Sequence, residues 1–528
     1  MTIKLVRVIR GFLGHLPVHQ SKEIDGPVPQ AEAGNSTRSE SPSLREPPAV
    51  PPSPPQADPP LSDDPGPVTG AASRELTDQR IVDAVVGLDF GTSCTKILIR
   101  TPRERAPVTA VDFGDAAHRR STHLLPSHIW RDSEDRFRLT PGGGGTLIQD
   151  LKVALTHDEM RDDAETAAAA FLALSLRRSR RYFLERRGSS LEDVNLMWQI
   201  NLGLPAANYA NTSLCSRFLS VLGAAARLAD GTDESVSATE IQDALDRGLD
   251  QVDGPDEHTH GGFLTHEHLG QMRLCIIPEV AAEAAGYARS HHMRNGLHLL
   301  VDVGASTVDV TGFLLYNPGG EGDRYGLLAC DVSLHGAMRL HRSRINAVAQ
   351  HRNHCPEICR LRQVDPVDPI PDPLDTQLGR KLSERESLAL QETDADECAS
   401  IRSLIASMLI HLKRARDPNS PVWQGYVPVI LGGGGGALPF YRNAVDSTFR
   451  RMATIWPDLC GFEEIKLSFG SRDELDAKIN EDDFARFAVA WGLSYEEVDI
   501  GEITRPEQID DIRGREVTRP EPIGSEMV

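Results

Sequence analysis

Two stretches of this chain share one design, and that repeated design limits the folds the chain can adopt. Val85–Arg100 reads VVGLDFGTSCTKILIR, and His298–Leu314 reads HLLVDVGASTVDVTGFL. In each stretch an apolar run ends at an aspartate (Asp89 or Asp302), a short turn of small residues follows, and a second apolar run returns. This pattern predicts a β-hairpin with free backbone N–H groups at its tip. Such a tip can hold phosphate oxygens, and a lone carboxylate beside it suits a hydrated Mg²⁺ ion.

A third stretch, Pro428–Pro439, reads PVILGGGGGALP and is an apolar strand that runs into five glycines. Glycine lets a backbone lie flat against a planar or charged ligand, because there is no Cβ atom to interfere. Two aspartate-tipped hairpins can also face each other across one cleft and grip a polyphosphate and its metal from both sides. The three stretches together therefore predict a phosphate-binding cleft.

In this order, the three stretches resemble the phosphate-one, phosphate-two and adenosine motifs of the actin, sugar-kinase and heat-shock-chaperone ATPase superfamily. They are most similar to those of the DnaK-like seventy-kilodalton heat-shock chaperones. Three further segments match: Leu204–Ala206 follows a core strand, while Ile276–Tyr287 and Ala488–Ser494 look like the two connecting helices. The resemblance covers roughly residues 82 to 496. It implies an α/β, actin-like fold of two lobes, each built on a ribonuclease-H-like sheet flanked by helices.

The resemblance also implies catalytic residues, with ATP or ADP and Mg²⁺ as ligands. Asp89 and Asp302 would hold the hydrated Mg²⁺ and order the attacking water; turn capping is the alternative role for both. Glu279 resembles the acid that helps to position metal and water. Lys152, in a D-x-K match, would stabilise charge at the γ-phosphate, or else is a surface lysine.

The remaining predicted site residues lie in the two turns and the glycine strand. Thr307 and Asp309 complete the second hairpin as members of the catalytic set. The turn and glycine residues that would contact the nucleotide are Gly91, Thr92, Ser93, Cys94, Gly304, Ala305, Ser306, Gly433, Gly434 and Gly435.

The chain departs from the chaperone pattern in three places. The second turn is Gly-Ala-Ser-Thr where the chaperones have three glycines, and Ala437 stands where an arginine stacks on adenine. The 32 residues after position 496 are also too few for the β-sandwich and lid that bind unfolded peptide. We therefore expect a nucleotide-binding body without a client-binding domain.

Composition predicts the domain boundaries. Pro27–Pro67 contains 13 of the 35 prolines, so residues 1–80 are predicted to be a disordered extension. Residues 1–17 of it form either a short amphipathic helix or a poorly ordered terminus. Lobe I is predicted at 81–297 with an acidic insertion at about 231–262, and lobe II at 298–497. A flexible acidic tail at 498–528 contains the phrase TRPE twice, which indicates either a docking motif used twice or coincidence.

Charge and cysteine usage exclude some classes of partner. The net charge of −21 argues against nucleic acid, and no apolar run is long enough to span a membrane. The eight cysteines show no disulfide spacing, which predicts a cytoplasmic location. Two His/Cys groups are candidates for metal binding but lack the usual ligand spacing: His258, His260, His266 and His268, and His351, His354, Cys355 and Cys359.

The sequence therefore predicts a DnaK-like protein that binds ATP and hydrolyses it slowly. It would act as a nucleotide-dependent conformational switch or as a chaperone-like module that docks a protein partner. Partners would bind through the N-terminal extension or the tail. The alternatives are an actin-like filament-forming ATPase, a catalytically weak scaffold that binds nucleotide only to stay folded, and a small-molecule kinase of the same superfamily.

Overall fold

The computed structural model describes residues 80–509. These residues form a mixed α/β structure with three sheets. Within that range it leaves out residues 119, 143, 157–160, 192–193, 210, 249–263, 270–271, 318–322, 352–355, 369, 371–373, 375–377, 379–380, 468–474 and 480–482. The predicted disordered extension, except residue 80, and its helix at 1–17 lie outside the described residues.

The first sheet is built around the first predicted hairpin. Strand β1 (Arg80–Phe90) is antiparallel to β2 (Cys94–Arg100) and parallel to β8 (Val194–Leu204). The other strands of this sheet are β3 (Thr109–Ala110), β4 (Leu125–Pro126), β10 (Leu264–Leu269) and β11 (Met272–Pro278). They lie in the order β10-β11-β8-β1-β2-β3, with β4 also paired to β2. The hairpin prediction is confirmed here.

The second sheet is built around the second predicted hairpin. Strand β12 (Gly296–Val303) is antiparallel to β13 (Val308–Tyr316), and the glycine-rich strand β15 (Tyr426–Gly432) is parallel to β12. The sheet is completed by β14 (Arg324–Ser333), β16 (Gly461–Ile465) and β17 (Glu502–Thr504). The order is β16-β15-β12-β13-β14-β17. Each predicted hairpin is thus central to a separate sheet.

A third sheet absorbs part of the predicted acidic insertion. Its strands, in the spatial order β7-β5-β6-β9, are β5 (Ile129–Arg131), β6 (Arg136–Arg138), β7 (Thr146–Ile148) and β9 (Ser235–Ser237). Strand β9 comes from the insertion, and the Arg177 guanidinium donates hydrogen bonds to the carbonyls of Asp233 and Ser235. The beginning of the insertion therefore belongs to the folded body, whereas residues 249–262 lie outside the described residues.

Helices pack against these sheets. The α-helices are α1 (Leu151–Ala154), α2 (Arg161–Arg187), α3 (Ala206–Tyr209), α4 (Thr212–Leu228), α5 (Ala238–Asp246), α6 (Glu279–Ala288), α7 (Ala337–Ala349), α8 (Pro356–Arg362), α9 (Glu384–His411), α10 (Pro439–Ile455), α11 (Phe484–Leu493) and α12 (Glu497–Ile500). A π-helical turn spans Leu412–Arg416, and 3₁₀ turns span Gly114–Ala116, Gly188–Ser190, Pro421–Gln424 and Pro506–Gln508.

The two stretches that resemble connecting helices, now α6 and α11, pack directly against each other. A Cβ atom on Gly492 of α11 would overlap the backbone carbonyl of Ala282 on α6. Helix α11 also lies on β1, where a Cβ atom on Gly87 would overlap the carbonyl oxygen of Ala490. Small residues at both crossings bring α11 into backbone contact with a helix and a strand that lie far away in sequence.

The prediction of a flexible tail from residue 498 is wrong for its first part. After helix α12, strand β17 pairs in parallel with the edge strand β14. Ile500 and Ile503 are buried. The compositional argument counted charged residues, whereas these isoleucines fill the core and the β14 edge needs a hydrogen-bonding partner. The second sheet thus continues past the predicted boundary at 497, and the second TRPE phrase lies outside the described residues.

The α6–α11 contact yields a prediction about stability. Gly492→Ala should destabilise the protein by roughly 1–3 kcal/mol, because the added methyl group can be accommodated only if the two backbones move apart. Urea unfolding followed by circular dichroism measures the change. Gly188→Ala is the control, since its Cβ atom would meet open space. Equal stability of the two variants would contradict the close crossing.

Candidate functional site

The tips of the two hairpins and the glycine turn line one cavity of about 380 Å³. Asp89 lies near the end of β1, and Asp302 lies near the end of β12, opposite Gly432 of the parallel strand β15. The structure brings together every predicted site residue except Ser306. Those that line the cavity are Asp89, Gly91, Thr92, Ser93, Cys94, Lys152, Glu279, Asp302, Gly304, Ala305, Thr307, Asp309, Gly433, Gly434 and Gly435.

Two lysines form ion pairs at the cavity. Lys152 Nζ lies 2.6 Å from Glu279 Oε1, and both residues are buried. Lys152 is therefore not the surface lysine that the sequence left as an alternative. Lys96 Nζ lies 2.7 Å from Asp89 Oδ2. Burial disfavours the charged Lys96, but the attraction and hydrogen bond of Asp89 outweigh it, so the pKa of Lys96 is raised.

Carboxylates outnumber these lysines. Burial, reinforced by Glu279 and Asp89, raises the pKa of Asp302 to about 7. Burial and the charge of Asp302 raise the pKa of Asp309 well above its ordinary value. The Oδ1 atoms of Asp302 and Asp309 are buried and accept no hydrogen bond from the described residues. Buried, unpaired carboxylate oxygens are costly, so this end of the cavity favours a proton or a cation.

The sequence analysis missed a further buried acid, Glu283, one helical turn after Glu279 on α6. It is 2% exposed, and burial together with Asp302 and Glu279 raises its pKa well above the ordinary value. The Gly433 N–H lies near it, but neither carboxylate oxygen has a hydrogen bond of good geometry from the described residues. The available signal was a second glutamate, at i+4, in an otherwise alanine-rich helix.

The glycine turn is also needed for a reason that the sequence did not predict. Gly433 has φ +71°, and a Cβ atom there would overlap Asp302 Oδ1. A Cβ atom on Gly432 would overlap the carboxylate of Glu283. These glycines therefore make room for acidic side chains of the protein itself. The predicted contact of a flat backbone with a ligand stays a prediction for Gly434 and Gly435, which also line the cavity.

Two residues of the predicted site lie at the margin of the cavity or outside it. Cys94 borders the cavity, but its side chain packs in an apolar cluster with Leu98, Phe487 and Trp491. The thiol is thus largely buried, and its predicted contact with phosphate stays a prediction. Ser306 lines a neighbouring cavity, and its carbonyl accepts a hydrogen bond from the Gly336 N–H at the start of α7.

Two cationic residues of the cavity were also missed. Lys96 could have been found, because the hairpin register places it directly opposite Asp89. No local sequence pattern indicated Arg486 of α11, because packing against distant segments brings its helix to the cavity. Its guanidinium lies against Gly434, and Nη1 donates a 2.8 Å hydrogen bond to the Val367 carbonyl. Apolar side chains line the cavity nearby: Val332, Leu334, Ala337, Met338, Ile370, Leu438 and Val489.

The other metal candidates gain no support. His258, His260, His354 and Cys355 lie outside the described residues, as do the side chains of His266 and His268. In the described part of the chain, no group of three or more His, Cys, Asp or Glu side chains is arranged to hold a metal ion directly. Metal binding through one or two carboxylates and water, as Mg²⁺ prefers, needs no such group.

Comparisons with known proteins assign no family to this chain. No protein-family model matches it, and a search of curated proteins gives no match. Within the described residues, no helix has the length and apolar character needed to cross a membrane.

The raised pKa of Asp302 gives a prediction about stability and pH. The folded state binds this proton more tightly than the unfolded state, so the contribution of Asp302 to the free energy of unfolding should fall as the pH rises from about 4 to 7. Asp302→Asn removes that loss and should be more stable than the wild type by roughly 1–4 kcal/mol at pH 8. At pH 4 the two should unfold at similar temperatures.

Thermal unfolding across this pH range measures the effect. The control is Asp243→Asn, which removes an exposed carboxylate from helix α5. A constant difference between Asp302→Asn and the wild type at every pH would show that Asp302 does not titrate in the folded protein.

Proposed function

We propose that this protein binds Mg-ATP in the cavity, hydrolyses it slowly and acts as a nucleotide-dependent conformational switch. The observation that carries the proposal is the meeting of two aspartate-tipped hairpins, from two different sheets, at one cavity beside a glycine turn. We further propose that the two larger sheets are the cores of two actin-like lobes. The sequence resemblance and the shared cavity support this assignment.

The residues around the cavity suit a polyphosphate. The turns at Gly91–Ser93 and Gly304–Thr307 offer backbone N–H groups and hydroxyls to phosphate oxygens. Lys96, Lys152 and Arg486 supply positive charge, which acts more strongly in a partly buried cavity than in open water. The apolar wall near Arg486 suits the base. The cavity is also within the usual size range of small-molecule sites.

The donor set also fits Mg²⁺. The Oδ1 atoms of Asp302 and Asp309 are buried without a hydrogen bond among the described residues. Asp89, opposite, is held by Lys96. Hard carboxylate oxygens on two sides of a cavity suit a hydrated Mg²⁺ bound mostly through water, and we expect Asp89 and Asp302 to hold it. When bound, the ion would neutralise charge on the phosphates.

The protein side chains would then position water and stabilise charge. Phosphoryl transfer depends mainly on such positioning and charge stabilisation. Asp302 and Glu279 would accept hydrogen bonds from the attacking water. Lys152, fixed by Glu279, would stabilise negative charge on the γ-phosphate as the bond to the leaving group breaks. Thr307 donates a hydrogen bond to Asp309 at 3.3 Å, which orients the second turn.

The switch follows from the two-sided construction of the cavity. A nucleotide that contacts both hairpins would favour the closed arrangement of their sheets, and its hydrolysis would weaken that preference. A protein partner that recognises one arrangement would then bind in a nucleotide-dependent way. We propose that such partners dock through the N-terminal extension or the tail.

The direct test is phosphate release by the full-length chain with Mg-ATP, with Asp302→Asn as the variant. We expect slow turnover by the wild type and a loss of about 100-fold or more in the variant. ATP should still raise the unfolding temperature of both proteins. Because Asp302→Asn is expected to be more stable than the wild type, unfolding would not explain its lost activity. Asp243→Asn should retain full activity.

Other results would favour the alternatives. ATP stabilisation without turnover in any of these proteins would indicate a nucleotide-binding scaffold. ATP-dependent sedimentation that increases with protein concentration would indicate filament formation. The absence of binding to any nucleotide would refute the proposal.

Arg486 gives a separate prediction about the base. We propose that this cation, rather than one at the position of Ala437, lies against the adenine. Arg486→Ala should weaken ATP binding about tenfold, because the ring loses a stacking cation. Binding of inorganic tripolyphosphate, which has no base, should change little. Calorimetry with both ligands measures this, and Arg451→Ala, on an exposed part of helix α10, is the control.

Equal weakening of ATP and tripolyphosphate by Arg486→Ala would show instead that Arg486 contacts the phosphates. In that case the base would be recognised by other side chains of the cavity.

A further inference from the structure

The first copy of the repeated tail phrase is docked on its own protein. Residues 502–504 pair in register with Arg324–Gly326 at the edge of β14. The Arg505 guanidinium lies over the ring of Tyr209, 4.8 Å from its centroid. We call the β14 edge at 324–326, together with Tyr209 and Arg416, the docking surface.

Three further contacts hold this first copy in place. Ile503 is 3% exposed and belongs to the main apolar core. Arg416 Nη2 donates a 2.7 Å hydrogen bond to the Pro506 carbonyl. Ile509 packs beside Gly326, because a Cβ atom added to Gly326 would lie 3.3 Å from Ile509 Cδ1. Residues 502–509 are therefore held in place by strand pairing, by the burial of Ile503 and by the stacking of Arg505 on Tyr209.

The second copy repeats the residues that make these contacts. Residues 502–509 read EITRPEQI, and residues 516–523 read EVTRPEPI. Six of the eight positions are identical, and a seventh exchanges Ile503 for Val517, which is also β-branched and apolar. The chain outside the described residues thus carries a second segment with the arginine, the proline, the edge glutamate and both apolar anchors that the docking surface accepts.

Two differences make the second copy the weaker occupant. Gln508 donates its N–H to the Arg505 carbonyl and accepts from the Arg505 N–H through its side chain, whereas Pro522 can do neither. Gly501, which precedes the first copy, has φ +115°, a conformation that Arg515 at the matching place disfavours. The first copy is therefore the resting occupant.

We propose that residues 516–523 dock, within the same chain, on the surface that residues 502–509 occupy whenever the first copy leaves it. The second copy begins 14 positions after the first, so it is present at a high effective concentration. A loop of this length closes at modest entropic cost. The exchange keeps the β14 edge covered, which prevents pairing with other chains.

The exchange has a functional consequence. A partner protein that binds the sequence TRPE could bind the first copy. The second copy would then replace the first as the edge strand of the second sheet. The docking surface also lies close to the proposed nucleotide site, because Tyr209 follows Asn208, which lines the cavity. The proposal itself does not depend on nucleotide binding, and its test does not use nucleotide.

Cysteine cross-linking in the full-length chain tests the exchange. Arg324 lies opposite Glu502 in the observed register, so Arg324→Cys with Glu502→Cys is the positive reference. Arg324→Cys with Glu516→Cys reports docking of the second copy. Arg513→Cys and Ser525→Cys, on either side of Glu516, replace it in two matched controls. Each pair is made with and without Arg505→Ala and Ile503→Ala, which weaken the first copy.

We expect the 324–516 disulfide, mapped by mass spectrometry, to exceed both flanking controls by about threefold or more once the first copy is weakened. Its yield should not depend on protein concentration. Equal yields at 513, 516 and 525 would refute docking in register. A 324–516 bond found between molecules would refute docking within the chain.

A second measurement covers the case in which the cysteine variants fold poorly. Arg519→Ala alone should leave the unfolding temperature unchanged, because the first copy is docked. Arg505→Ala combined with Arg519→Ala should lower it by more than Arg505→Ala alone, since no arginine then remains to stack on Tyr209. Arg505→Ala with Arg513→Ala is the control. Identical unfolding of the double variant and this control would overturn the proposal.

Discussion

The buried pairing of Lys152 with Glu279 is the interaction on which the cavity depends. It joins a helix beside the third sheet to the helix that carries Glu283, and it balances one charge of a site that contains more acids than bases. Removing one partner from such a pair would leave an uncompensated buried charge, which is strongly destabilising. Asp89 is paired in the same way with Lys96, whereas Glu283 and the Oδ1 atoms of Asp302 and Asp309 have no hydrogen bond from the described residues. The ligand-free protein therefore contains a local excess of negative charge that a cation or protons must relieve.

The parts of this site that the sequence predicted are those that local pattern controls. An apolar run, an aspartate and a turn of small residues define a hairpin, and the strand alternation then places Asp89 and Asp302 at comparable positions. Lys96 could also have been predicted, because counting residues across the short turn places it opposite Asp89. Glu283 was visible as an acid among alanines, but its burial was not, because helix composition does not show which face meets the cavity.

The parts that the sequence could not predict depend on contacts between distant segments. Arg486 reaches the cavity because small residues let α11 lie directly on α6 and β1. Residues 500–504 belong to a tail rich in charged residues, yet the burial of two isoleucines and pairing with one sheet edge are enough to order them. The sequence also did not indicate that Gly432 and Gly433 leave space for protein atoms, those of Glu283 and Asp302.

The contact between α11 and β1 also matters for how the chain is made. About 400 residues separate Gly87 from Ala490, so β1 leaves the ribosome long before the helix that covers it exists. At ordinary rates of translation that interval is about 20 to 80 s. During this time the strand that carries Asp89 has an uncovered face, and contacts between such distant segments form slowly in any case. A newly made chain therefore needs protection from aggregation until its last helices emerge.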